Sequence, residues 1–185
     1  MGRLIYSVIC SLDGYFADAE GKFGWAYPGE EVLAAINDEM ESVGTYLYGR
    51  KIYEMMTGWE TDAALAASTE RSGRFAEIWQ AADKVVYSTT LEGVSTKRTR
   101  LERSFERDAV EALKESTDRD LAVDGPTLAA SALRLGLVDD LHLVLCPIVV
   151  GGGLKVLPPD VRLELELKSE RRFGNGMVQV RYRVP

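Results

Sequence analysis

The chain has 185 residues, a length that implies one domain with a sizeable core, and a net charge of −7. The acidic balance argues against a nucleic-acid partner, no apolar run is long enough to span a bilayer, and the start lacks a signal-peptide pattern, so a cytoplasmic protein with no membrane partner is expected. Two cysteines, Cys10 and Cys146, and one histidine, His142, are too few for a zinc cluster, and no nucleophile elbow accompanies the histidine.

Arg3–Cys10 is apolar and rich in β-branched residues, the pattern of a central strand. It ends at the turn signal Ser11-Leu12-Asp13-Gly14. The loop Tyr15–Pro28 follows, and its aromatics (Tyr15, Phe16, Phe23, Trp25 and Tyr27) either line a flat ligand's pocket or cover the edge of the core. Glu30 and Glu31 open a helix whose apolar stripe is Val32, Ala35, Ile36 and Met40. Carboxylates suit a first helical turn, and one at the mouth of a pocket can also manage a proton.

Thr45–Tyr48 reads as a second strand that turns through Gly49-Arg50-Lys51 into a helix. Two cations at a helix start oppose the helix dipole, which hints at an anion nearby. Ala63–Ala67 reads as a loop or short helix. Ser72 looks like a cap for a helix with Phe75, Ile78, Trp79 and Ala82 on one side. Lys84–Tyr87 is a third parallel strand. It ends in Ser88-Thr89-Thr90, hydroxyls at the strand end where open α/β sheets bind ligands. Thr99–Phe105 is a short strand, and Ala109–Leu113 is helical.

The run Asp120–Gly136 organises the rest. A strand, Leu121–Val123, turns at Asp124-Gly125 and opens a helix with Pro126 and Thr127. Leu128, Ala132 and Leu135 recur at helical spacing, and Gly136 stops the helix. Free N–H groups and a positive helix end at such a turn suit a phosphate, and a side chain at Gly125 would hold that phosphate off the backbone.

Leu141–Cys146 is a further strand, and Gly151-Gly152-Gly153 lets the backbone approach something closely. The alternating runs Val161–Lys168 and Val178–Val184, separated by Gly174-Asn175-Gly176, predict an antiparallel hairpin with one wet face. The whole pattern predicts an α/β fold of three layers. Its sheet is mostly parallel, covered by helices on both faces, with the hairpin at one edge.

In the order and spacing of these landmarks the chain resembles the dihydrofolate reductase-like superfamily. It is most similar there to the reductase domain at the C-terminus of the riboflavin-biosynthesis protein RibD, in a stand-alone form. The motifs are Ser11–Gly14, Tyr48–Glu54, Ser88–Thr90, Val123–Leu135, Gly136–Asp140 and Pro147–Gly153. The resemblance implies one reductase domain over 1–185 that binds NADPH, reduces a small pterin- or pyrimidine-like ring by hydride transfer, and forms a homodimer. Gly49, Arg50 and Lys51 then hold the adenosine end, flanked by Ser88 and Thr89. Asp124, Gly125, Pro126, Thr127 and Leu128 form the pyrophosphate turn, and Ile9 and Phe16 lie near the nicotinamide. The spacing Trp25, Pro28, Glu30 matches the family's acid position. By the resemblance Glu30 is the catalytic acid, with Glu31 as its adjacent competitor, and Trp25 and Glu31 lie at the substrate. Asp124 departs from the family, which carries glycine there. Alternatives are the 5-amino-6-(5-phosphoribosylamino)uracil reductase of riboflavin biosynthesis, or a nucleotide-binding dimer without catalysis.

Overall fold

The computed structural model describes residues 1–185. Strand β1 (Leu4–Ser11) leads to the short β2 (Tyr15–Ala17), a 3-10 turn over Gly24–Ala26 and helix α1 (Gly29–Met40). Next come β3 (Val43–Gly49), α2 (Arg50–Met56), the single-turn helices α3 (Gly58–Thr61) and α4 (Ala63–Ala66), α5 (Glu70–Ala81), β4 (Asp83–Tyr87) and β5 (Thr99–Glu102). The remainder is α6 (Arg107–Glu115), β6 (Asp120–Asp124), α7 (Pro126–Arg134), β7 (Asp140–Cys146), β8 (Leu154–Lys155), β9 (Glu166–Arg172) and β10 (Val178–Arg183).

Eight strands form one sheet in the order β5, β4, β3, β6, β1, β7, β10, β9. Every pair from β5 to β7 is parallel, and β10 runs antiparallel to both β7 and β9. Strand β1 sits near the middle because both its faces are apolar. Leu4, Tyr6, Val8 and Cys10 pack with Leu121 and Val123 under Val110 of α6 and Ala129, Ala132 and Leu133 of α7. On the opposite face Tyr46, Tyr48, Val86 and Ala122 lie under Phe75, Ile78 and Trp79 of α5. Val144 and Cys146 lie under Val32 and Ala35 of α1. Each large side chain so buried contributes on the order of 1.5–3 kcal/mol. The result is three layers, with helices on both sides of the sheet.

Glu39 bolts α1 to the antiparallel end of this sheet. Its Oε1 lies 2.8 Å from Nδ1 of His142, and its Oε2 accepts from Arg181 and Gln179 at 3.1 Å each. Burial alone would push this carboxyl up, but the His142 contact and the Arg181 charge hold it below its ordinary value.

Three elements differ from the sequence reading. Helix α5 is capped by Thr69, whose Oγ1 accepts from the Ser72 N–H at 3.1 Å, so Ser72 is a buried residue of the first turn. The alternation that begins at Val161 becomes a strand only from Glu166, because Val161 and Leu163 pack against the core edge without a ladder partner. Alternation marks a half-buried surface and does not itself require a neighbouring strand. Lastly, the aromatic loop is partly ordered by pairing of β2 with β8. There Gly153 has φ +127°, and a Cβ on it would meet the Ala17 carbonyl at 2.0 Å, so the glycine run approaches β2.

Candidate functional site

Two strand-to-helix turns come together because their strands are neighbours. Strands β3 and β6 pair in parallel with Tyr48 opposite Asp124, so both chains leave the sheet at the same level. One continues through Gly49 into α2 and the other through Gly125 into α7. Between them lies a cavity of about 670 Å³, within the range of small-molecule and cofactor sites. Its first wall is Gly49, Arg50, Lys51, Ile52 and Met55. The second runs from Asp124 to Leu128 and includes Ser131. Phe16, Ala17, Gly21, Phe23 and Leu154 close the third side, with Tyr87 at the end of β4 completing the lining.

The polar groups of this cavity are unevenly committed. Arg50 is paired with Glu54 at 2.7 Å and donates to Thr90 Oγ1 at 3.2 Å. Lys51 is exposed and has no ion-pair or hydrogen-bond partner. Thr127 and Ser131, one helical turn apart on α7, line the cavity with hydroxyls that bond to nothing in the protein. The first N–H paired within α7 belongs to Ala129, which donates to the Gly125 carbonyl at 3.0 Å. Those of Thr127 and Leu128 are therefore free at the helix start. Asp124 Oδ1 accepts from the Gly125 N–H at 3.0 Å. Burial pushes the Asp124 carboxyl up to about 6, and that single backbone bond only partly offsets it. Phe16 and Phe23 face each other with ring centroids 5.6 Å apart.

The two glycines of these turns do different jobs. Gly125 has φ +85°, and a Cβ there would lie 2.4 Å from Ile52 Cγ1. The fold itself therefore demands glycine at 125, through backbone conformation and contact with α2, where the sequence reading credits ligand approach. Gly49 has φ −78°, open to any residue, and nothing lies within 4 Å of the point a Cβ would occupy. What glycine supplies at 49 is space inside the cavity.

Of the residues singled out from sequence, Phe16, Gly49, Arg50, Lys51 and Asp124 through Leu128 meet at this cavity. Six do not line it. Glu30 projects to Arg71 of α5 at 3.4 Å, with both side chains about half exposed. Glu31 accepts from the Gly174 N–H at 2.9 Å, tying α1 to the hairpin turn. Trp25 and Ile9 pack in the apolar cluster around Val144 and Cys146. Ser88 Oγ accepts from the N–H groups of Thr90 and Leu91, which makes it a turn residue, and Thr89 is exposed beside it. Ser131, Tyr87 and Leu154 were missed. Ser131 is legible afterwards as the residue four beyond Thr127, whereas Leu154 arrives only through the β2–β8 pairing.

Comparison with known proteins places the chain. The model of the RibD C-terminal domain matches residues 3–179. The uncharacterized protein YyaP of Bacillus subtilis (strain 168) is 27% identical over 186 residues, covering 97% of this chain and 94% of that protein. A crystal structure of a putative riboflavin biosynthesis protein from Shewanella sp. PV-4 superposes with a TM-score of 0.75 at 21% identity, over 100% of this chain and 99% of the other. Dihydrofolate reductase from Enterococcus faecalis, solved with NADP(H) and RAB-propyl, gives 0.65 at 12% identity, over 99% and 96%. The architecture is the dihydrofolate reductase-like fold. No helix is long and apolar enough to cross a membrane.

Proposed function

Since the chain belongs to the RibD C-terminal domain family, we propose that it is an NADPH-dependent reductase of a small heteroaromatic ring. The observation that carries this reading is the unpaired Lys51. It stands beside Arg50 at one end of a dinucleotide-sized cavity that also presents the free start of α7 and an aromatic wall.

In this reading Lys51 meets the 2′-phosphate as a point charge, and Arg50 shares its guanidinium between Glu54 and the ligand. The Thr127 and Leu128 N–H groups with the Thr127 and Ser131 hydroxyls hold the pyrophosphate. The open space at Gly49 fits such a group, because a side chain there would enter the cavity. Phe16 and Phe23 cover a flat ring and exclude water from it. The cofactor, when bound, supplies the hydride, and the protein supplies position and field. Glu30, bound to Arg71, is left out of the proton step. The lining holds two cations, both assigned here to the cofactor. A substrate carrying its own ribose phosphate finds no further basic group in it, which favours an uncharged pterin- or pyrimidine-like ring. A homodimer belongs to the same reading and is checked by light scattering.

The test is fluorescence titration with NADPH and NADH. NADPH is expected to bind more tightly, and Lys51→Ala to reduce that preference by roughly three- to tenfold, as befits a charge-assisted contact at an exposed site. Equal binding of the two nucleotides refutes the phosphate assignment. Turnover with a panel of pterins and pyrimidines then identifies the ring.

A further inference from the structure

Asp124 is an acid where an anion is expected. It is the last residue of β6, it immediately precedes the turn that opens α7, and its side chain lines the cavity beside Thr127. Its Oδ1 is held by the Gly125 N–H, while Oδ2 has no partner in the protein and is not enclosed by it.

The elements around it provide no cation in contact. From β3 come Tyr46 and Tyr48, from β1 Tyr6, from β4 Tyr87, and from α2 Arg50 and Lys51; α7 offers only hydroxyls. The Tyr6 hydroxyl donates to the Val156 carbonyl, and that of Tyr48 accepts from Trp79 Nε1. The Tyr46 hydroxyl is buried without a partner. Arg50 is engaged by Glu54 and Thr90, and Lys51 makes no contact with Asp124. A phosphate at the first turn of α7 would therefore meet an ionised Asp124 with nothing between them.

Resting on the dinucleotide reading above, we propose that Asp124 takes up a proton from solvent when the pyrophosphate binds and donates a hydrogen bond from Oδ2 to a phosphate oxygen. The proton returns to solvent on release. Protonation turns the one repulsive group of the cavity into a donor. It gives a role to a residue that departs from the glycine expected at this turn. Burial has already moved the carboxyl up to about 6, and a neighbouring anion moves it further in the same direction.

Calorimetry of NADPH binding at pH 7.5, in buffers of different ionisation enthalpy, reads the proton directly. The 2′-phosphate, with a second pKa near 6, is by then almost fully charged and contributes little. The wild-type protein is expected to take up close to one proton per nucleotide. Its affinity is expected to fall by up to about tenfold per pH unit above pH 6, as linkage to one group requires. Asp124→Asn, which keeps the shape and a donor, is expected to bind with no uptake and a flat profile; Asp124→Ser serves if that variant does not fold. Binding without proton uptake by the wild type, or an unchanged profile in both variants, overturns the proposal and leaves the cofactor reading standing. No binding of NADPH by the wild type overturns both.

Discussion

Replacing Gly125 by alanine separates what the fold needs at the α7 turn from what a ligand needs. Two penalties are visible. The backbone has φ +85° and ψ 132°, a region in which a non-glycine residue costs roughly 1–3 kcal/mol. The new methyl would also lie 2.4 Å from Ile52 Cγ1 and 3.3 Å from its Cδ1. Cγ1 is not the free end of the chain, so Ile52 must leave its rotamer or α2 must shift, at about 1–3 kcal/mol. The sum is about 4 kcal/mol, which for a chain of this length lowers the melting temperature by roughly 8–16 °C. Urea denaturation of the ligand-free protein, followed by tryptophan fluorescence, measures it. The Ile52→Ala background then divides the two terms. The contact penalty disappears there, so Gly125→Ala should cost about 1–3 kcal/mol less than in the wild type, while the backbone penalty persists. A Gly125→Ala protein within about 0.5 kcal/mol of wild type, or equal costs in both backgrounds, would refute the reasoning and return the glycine to the ligand.

Gly49→Ala should behave in the opposite way. With an ordinary φ and nothing within 4 Å, it should leave the denaturation midpoint nearly unchanged and weaken NADPH by about tenfold or more, read by titration. A stable variant with wild-type affinity would show that no ligand occupies that space. Glu39 sets an acid limb. Its folded-state pKa lies below the ordinary value of 4.5, so its contribution is present above that pH and is lost as pH falls through the folded value. Glu39→Gln should cost about 3–5 kcal/mol at pH 7, by leaving His142 and Arg181 without their carboxylate, and should flatten the loss of stability below pH 4.5. Equal slopes of stability against pH in the two proteins would contradict that assignment.

The layered fold was legible because its signals are local. Proline after glycine starts α7, an apolar β-branched run makes β1, and a stripe at helical spacing makes α5. The turns at Gly49 and Asp124 were legible for the same reason, and adjacency of β3 and β6 then brought them together. What the sequence left open was direction. The spacing of Trp25, Pro28 and Glu30 fixes how far the acid is along the chain, but Arg71 on α5 decides which way its first helical turn presents it. Ser72 reads as a cap by its residue type, and only the position of the first helical N–H shows that Thr69 takes that place. Gly125 reads from sequence as room for a ligand, whereas the fold requires it because of a side chain on another helix, which no local pattern encodes. Leu154 enters the cavity through a two-residue strand too short to leave a pattern.

The position of β1 bears on the order in which the protein can be made. Strand β1 pairs with β6 and β7, Leu4 with Leu121 and Ile5 with Asp140. It has no partner until β6 has been synthesised. Strands β3 and β4, close in sequence, can pair long before that. The wall of the cavity formed by Phe16 and Leu154 joins segments from both ends of the chain and is completed only when β2 meets β8. Contacts so distant in sequence slow folding and expose an apolar strand while they form. A nascent chain therefore carries an eight-residue, largely apolar segment without a docking place until β6 is made, and cavity formation follows the pairing of β2 with β8.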